Sequence, residues 1–268
     1  MAPIEKKNNM IKKITFKVQN GGSLRGEARV AGDKSMSHRS IMLGSLAEGI
    51  THVTGFLEAE DALATLQAFR DMGVKIEQLG NGCVTIHGVG KHGLKAPKAP
   101  LYLGNSGTSM RLLSGLLAGQ AFNSVLTGDE SLSKRPMKRV TEPLAQMGAD
   151  IKTTEKGTAP LEITGRAGQL TGIDYVMPMA SAQVKSCLLL AGMYAQGETK
   201  VTEPAPTRDH TERMLTGFGY PVSVNGNQAS INAADTVTEH PFGIDIVRRG
   251  CIHDGLERRI FWNTAVIG

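Results

Sequence analysis

Aromatic side chains are scarce in this chain, at 4% of 268 residues with one tryptophan. Proteins that bind single-stranded nucleic acid by stacking need aromatic platforms, so the composition argues against that class. Cysteine is scarcer. Cys83, Cys187 and Cys251 are odd in number, far apart and without a CxxC pair, which supports neither a disulfide framework nor a zinc site. No apolar run approaches the ~18 residues of a membrane span. The stretch 1–13 carries Lys6, Lys7, Lys12 and Lys13 but neither an apolar segment nor an arginine. That argues against a secretory signal and an organellar transit peptide alike. The expectation is a cytoplasmic protein in a reducing compartment, without membrane contact. Neither sign of charge dominates. The 30 Lys and Arg against 25 Asp and Glu leave a net +5, a mild bias compatible with anionic substrates.

Apolar residues and glycine are plentiful. Hydrophobic residues make up 40% of the chain, enough for a sizeable core, which excludes wholesale disorder. The 32 glycines are spread along the chain rather than gathered in linkers, and point to many turns and close backbone approaches. Length alone suggests roughly two domains at about 150 residues each.

An internal repeat refines that estimate. Asp71-Met72-Gly73-Val74-Lys75-Ile76, Gln146-Met147-Gly148-Ala149-Asp150-Ile151 and Gly217-Phe218-Gly219-Tyr220-Pro221-Val222 share one pattern, a helix ending at glycine and entering a strand. The glycines lie 75 and 71 residues apart. A second set, Leu46-Ala47-Glu48-Gly49, Leu117-Ala118-Gly119 and Tyr194-Ala195-Gln196-Gly197, keeps the same order. Each unit reads helix, strand, helix, strand, strand. The first has helices over 37–46 and 62–72 and strands over 52–54, 74–78 and 84–87; the second has helices over 108–117 and 137–147. Pro143 predicts a kink in the last of these. Asp209 and Glu212 predict a capping box for the last helix of the third unit. The units form one three-repeat domain over 31–235, with 1–30 and 236–268 outside it.

The chemistry-bearing residues cluster where the first helix of each unit begins. These starts are Gly32-Asp33-Lys34-Ser35-Met36-Ser37-His38-Arg39, Gly104-Asn105-Ser106-Gly107-Thr108-Ser109-Met110-Arg111 and Ser181-Ala182-Gln183-Val184-Lys185-Ser186. Each combines small or hydroxyl residues with a nearby cation. A helix N-terminus presents unpaired N–H groups and partial positive charge, small residues admit an anion, and the cation completes the site. The same residues also serve as ordinary N-caps. Three equivalent starts with attached cations favour one shared anion site. Lys134 and Arg135, and Arg208 in Arg208-Asp209-His210-Thr211-Glu212, add cations at two further helix starts. No metal-ligand spacing of histidine, cysteine or carboxylate is present, so no metal is expected.

These five segments, in this order and spacing, resemble EPSP synthase, the 3-phosphoshikimate 1-carboxyvinyltransferase family of the shikimate pathway. The Ser-Ala-Gln and Arg-Asp-His-Thr-Glu forms are similar to its bacterial class II branch. The related UDP-N-acetylglucosamine enolpyruvyl transferases fit less well, because they have asparagine after the first lysine where Ser35 stands here, and a mobile-loop cysteine. The resemblance spans about residues 12–235. It implies an α/β fold, an inside-out barrel domain of three repeated units, closing with a second such domain over substrate. It also implies transfer of the enolpyruvyl group of phosphoenolpyruvate to the 5-hydroxyl of shikimate 3-phosphate, with loss of phosphate. Position by position, Lys34, Asn105, Gly107, Thr108, Arg135 and Gln183 belong with phosphoenolpyruvate. Lys34, Ser35, Arg39, Ser181, Ala182, Gln183 and Arg208 belong with shikimate 3-phosphate. Ala182 stands where the other branch has a second serine. Lys34 is also the catalytic candidate. No cofactor, nucleic acid or membrane partner is implied, and a monomer is expected.

The resemblance also marks a departure. The family's second domain supplies an aspartate and a Lys-Glu pair for proton transfer, and no counterpart is found here. Residues 1–30 hold a strand expected to belong with that domain, and 236–268 form an atypical tail at its start, where only Asp245-Ile246 echoes the family. A reading-frame slip near Ile246 and a genuine short variant are both open. Weak or no turnover is expected of this chain alone. The competing class is a non-catalytic domain that binds shikimate 3-phosphate, or a half-enzyme that needs complementation.

Overall fold

A computed structural model describes residues 17, 26–233, 237, 244–245 and 248–252, with side chains at 17, 31–233 and 237. β1 (Gly26–Val30) precedes the first repeat, which comprises α1 (Lys34–Leu46), β2 (Glu48–Thr54), α2 (Glu60–Asp71), β3 (Lys75–Gly80) and β4 (Cys83–Val89). The second comprises β5 (Leu101–Tyr102), α3 (Gly107–Ala118), β6 (Ser124–Thr127), α4 (Glu130–Ser133), α5 (Lys138–Gln146), β7 (Asp150–Lys152) and β8 (Leu161–Thr164). The third comprises β9 (Asp174–Val176), α6 (Ala182–Gly192), β10 (Thr199–Thr202), α7 (His210–Gly217), β11 (Val222–Asn225) and β12 (Gln228–Ile231). Two short strands follow, β13 (Ile244–Asp245) and β14 (Arg248–Ile252).

Three four-stranded sheets share one plan: β13-β2-β4-β3, β5-β6-β8-β7 and β9-β10-β12-β11. In each, the first pair is parallel and the other two are antiparallel. The parallel edge strand is absent from the sequence reading, because two or three residues are too few to show alternation. β5 and β9 precede the first helix of their own repeats. In the first repeat that place is taken by β13, from beyond residue 235, while β1 pairs antiparallel with β14 in a separate two-stranded sheet.

Each sheet turns its alternate residues onto the helices. Thr51 with Val53, Ser124 with Leu126, and Thr199 with Val201 occupy equivalent inward positions, a buried hydroxyl followed by a buried aliphatic residue. α1, α3 and α6 are buried along nearly their whole length, so helices rather than strands fill the middle. Close approach requires small residues there. A methyl on Gly115 of α3 would lie 2.1 Å from the Cys187 carbonyl oxygen of α6.

Two helix starts depart from what the sequence predicts, one in its position and one in its cap. α1 begins at Lys34 rather than 37 because the Asp33 carboxylate accepts from the Met36 N–H at 2.9 Å. Pro143 lies inside α5. The capping box expected at α7 does not form. The Asp209 side chain makes no cap bond and instead accepts from Arg213 Nε at 2.7 Å, while Glu212 pairs with Lys185. A buried ammonium is a stronger claimant for that carboxylate than a backbone N–H.

Candidate functional site

The start of α1 carries three of the expected residues. Lys34 is half exposed, and its ammonium donates to Asp61 Oδ2 in the first turn of α2 at 2.5 Å. Ser35 receives two arginines. Its Oγ accepts from Arg208 Nη1 at 3.3 Å and its carbonyl oxygen from Arg39 Nη1 at 3.0 Å. Arg39, one turn further on, is only 4% exposed. Its Nε donates to Thr211 Oγ1 at 2.6 Å and its Nη2 to Ser186 Oγ at 2.7 Å. Burial lowers its pKa to about 10, partly offset by Glu212, so it remains cationic at neutral pH. Burial and Arg39 likewise hold His210 below the ordinary histidine range.

The start of α3 holds a second group. Ser106 caps the helix by accepting from the Ser109 N–H at 3.1 Å. Arg135 donates through Nη1 to the Asn105 carbonyl at 3.2 Å and through Nη2 to Asn105 Oδ1. The Asn105 amide in turn donates to Asp129 Oδ2 at 3.0 Å. Gly107 sits between two guanidinium groups. A methyl there would lie 3.0 Å from Arg135 Nη1 and 3.1 Å from Arg111 Nη1. Burial, followed by the charges of Arg139 and Arg135, lowers the Arg111 pKa.

The start of α6 joins this group. Ser181 caps the helix by accepting from the Val184 N–H at 3.4 Å. Ala182 opens the helix and brings no polar side chain. Gln183 bridges two helices: Oε1 accepts from Arg111 Nη1 at 2.7 Å, and Nε2 donates to Thr108 Oγ1 at 3.0 Å. Lys185, read from the sequence as the cation of this helix start, does not serve it. Its ammonium is buried between Glu203 and Glu212, each at 2.6 Å.

A buried hydroxyl cluster ties the first two repeats together. His38 Nδ1 lies 2.8 Å from Thr65 Oγ1 and 3.2 Å from Ser109 Oγ, and Ser109 Oγ is 2.7 Å from Ser106 Oγ. Burial lowers the His38 pKa to about 4, so the ring is neutral at physiological pH.

The structure thus brings together Ser35, Arg39 and Arg208, and separately Asn105, Gly107, Thr108, Arg135 and Gln183. Lys34 is bonded to Asp61. The sequence reading missed Asp61 and gave no site role to Asp129, Ser186 or Thr211, the last two of which stand inside the helix-start motifs. Arg111 lay within a quoted motif but was not singled out as a site residue. Lys34, Arg39, Arg111, Arg135 and Arg208 surround helix N-termini, an arrangement suited to holding a small molecule with several anionic groups. Among the described residues, no group of three His, Cys, Asp or Glu side chains is placed to hold a metal, and no helix is long and apolar enough to cross a membrane.

The fold and the site together define a three-repeat α/β domain with cations gathered at its helix starts. Comparison with known proteins narrows this. The sequence model of EPSP synthase (3-phosphoshikimate 1-carboxyvinyltransferase) matches residues 18–243, and the chain belongs to this family. The 3-phosphoshikimate 1-carboxyvinyltransferase of Methylococcus capsulatus is 69% identical over 222 residues, 83% of this chain and 51% of the relative. That of Nitrosococcus oceani is 64% identical over 238 residues, 88% of this chain and 53% of the relative. The solved EPSP synthase from Acinetobacter baumannii superposes with a TM-score of 0.80 at 65% identity, covering 84% of this chain and 50% of its own. The chain spans about half the length of the relatives it matches.

Proposed function

We propose that this chain provides the shikimate 3-phosphate side, and part of the phosphoenolpyruvate side, of an enolpyruvyl transferase. In the reaction, the 5-hydroxyl of shikimate 3-phosphate loses its proton and its oxygen adds to C2 of phosphoenolpyruvate while C3 takes up a proton and becomes a methyl group, giving a tetrahedral ketal. Loss of inorganic phosphate and of a methyl proton then leaves the enolpyruvyl ether. The observation that carries this reading is the meeting of Arg39 and Arg208 on Ser35, with Gln183 bridging α6 to α3 alongside.

Ser35, Arg39, Ser181, Gln183 and Arg208 would hold shikimate 3-phosphate, and Ala182 would contribute backbone and shape only. Arg135, held on Asn105, would meet phosphoenolpyruvate beside Gly107 and Thr108. Lys34 would leave Asp61 for the substrates and stabilise charge developing at the ketal. Fixed cations of this kind are usually the largest catalytic term. The chain is taken to act as a cytoplasmic monomer, which sedimentation of the purified protein tests.

Calorimetric titration with shikimate 3-phosphate tests the binding half of the reading. Saturable binding that weakens in Arg208→Ala is expected; no heat and no thermal shift at millimolar ligand overturns it. A phosphate-release assay, on the chain alone and mixed with the C-terminal half of a relative, tests the catalytic half. Turnover that depends on that supplement supports a half-enzyme, and binding without turnover in either mixture supports the non-catalytic alternative.

A further inference from the structure

Lys185 does not reach the anion site, and what it binds instead connects to that site twice. The ammonium and both carboxylates are buried, with side-chain exposures of 6% for Lys185, 3% for Glu203 and 5% for Glu212. Burial pulls the Lys185 pKa down, yet the hydrogen bonds and charges of Glu203 and Glu212 outweigh it and leave it raised.

Each carboxylate has a second task. Glu203 accepts from the Thr207 N–H at 2.7 Å and from Thr207 Oγ1 at 2.6 Å, closing the loop immediately before Arg208. Glu212 follows Thr211 on α7, as Ser186 follows Lys185 on α6. The ion pair between 185 and 212 and the 2.7 Å hydroxyl pair between Ser186 and Thr211 are therefore adjacent rungs of one α6–α7 seam. Those two hydroxyls hold Nη2 and Nε of Arg39. Glu212 Oε2 has no hydrogen-bond partner among the described residues, and its charge supports the buried Arg39 cation. The two arginines that converge on Ser35 are thus each set by a carboxylate that Lys185 anchors.

We propose that Lys185 is a positioning residue: one buried ammonium registers Arg208 through Glu203 and Arg39 through Glu212, and so sets the shikimate 3-phosphate site without touching the ligand. The proposal rests on the reading of that site given above. Lys185→Met alone strands two buried carboxylates and reports chiefly on folding. The primary variant is therefore the uncharged Lys185→Met/Glu203→Gln/Glu212→Gln, which strands no buried charge at these three positions and keeps the side-chain volumes close to native.

The native and variant 268-residue chains are titrated with shikimate 3-phosphate by calorimetry, with melting followed separately. The triple variant is expected to bind about tenfold more weakly or worse, because both arginines lose their registration. Glu203→Gln is expected to cost about fivefold in the native background and about twofold or less once Arg208→Ala is present, because its effect runs through Arg208. A merely structural carboxylate would cost the same in both backgrounds. Native-like affinity in the triple variant, or an undiminished Glu203→Gln cost in Arg208→Ala, overturns the proposal. If the triple variant does not fold, the Glu203→Gln cycle decides, since it leaves the pair of Lys185 with Glu212 intact. Absence of binding by the native chain would remove the site reading, and the proposal with it.

Discussion

Gly115→Ala sets two opposing quantities against each other at the centre of the molecule. Gly115 lies where α3 crosses α6. A methyl there meets the Cys187 carbonyl oxygen at 2.1 Å, its carbon at 2.9 Å and Sγ at 3.0 Å. In an isolated helix alanine is favoured over glycine by about 1 kcal/mol. Here the oxygen must retreat from 2.1 Å to beyond 3.0 Å. It belongs to the α6 backbone, so no rotamer change relieves the contact and the helices must separate. Overpacking costs about 1–3 kcal/mol and sometimes more, and a backbone-on-backbone contact belongs at the upper end. The net expectation is a loss of about 1–3 kcal/mol, or roughly 3–10 °C in Tm for a protein of this size. Gly44→Ala is the control, because its closest neighbour is Ile86 Cδ1 at 2.9 Å, the movable end of a side chain. There the helix gain and the packing loss should nearly cancel. Scanning calorimetry of the three proteins without ligand decides. The reasoning fails if Gly115→Ala melts at or above the native temperature, or is less affected than Gly44→Ala. Separation of α3 and α6 should also break the 3.0 Å bond from Gln183 to Thr108, lowering shikimate 3-phosphate affinity in the same variant.

Gly107→Ala crowds Arg135 and Arg111, so calorimetry should show phosphoenolpyruvate binding about tenfold more weakly in the presence of shikimate 3-phosphate, with shikimate 3-phosphate alone little changed. His38 has a folded pKa of about 4 against an ordinary 6.5, so its contribution is fully present above 6.5 and is lost as pH falls toward 4. The total is on the order of 3 kcal/mol. Urea unfolding of the native chain and His38→Asn across that window should show a shallower acid slope in the variant; equal slopes would count against a buried neutral imidazole. Cys187 is fully buried and its thiol is pushed up to about 12, whereas Cys83 is partly exposed. Alkylation at mildly alkaline pH, mapped by mass spectrometry, should therefore label Cys83 and spare Cys187 until denaturant is added.

The helix starts of the three repeats were legible to within a turn, because their signals are short-range. Asp33, Ser106 and Ser181 each cap their helix through a neighbour three residues on, a bond the local chain makes by itself. Asp209 shows the limit of that reasoning. Its spacing to Glu212 is right for a capping box, but a tertiary partner, Lys185, takes the glutamate. The edge strands β5, β9 and β13 were not legible, since two or three residues carry no period and their pairing depends on sheets formed elsewhere.

The sequence by itself determined the repeat, the family and the residue types at each helix start, because glycine stops, caps and motif spacing are written within a few residues of one another. The tertiary structure decided where the charges go. Arg208 reaches Ser35 across 173 positions and Arg39 reaches Thr211 across 172, while Lys185, one turn into its helix, faces the α7 side and is consumed by two carboxylates. A helical pattern shows that a lysine lies near a helix start. Only the packing of a neighbouring helix, with its buried and unscreened charge, selects the anion that lysine will bind.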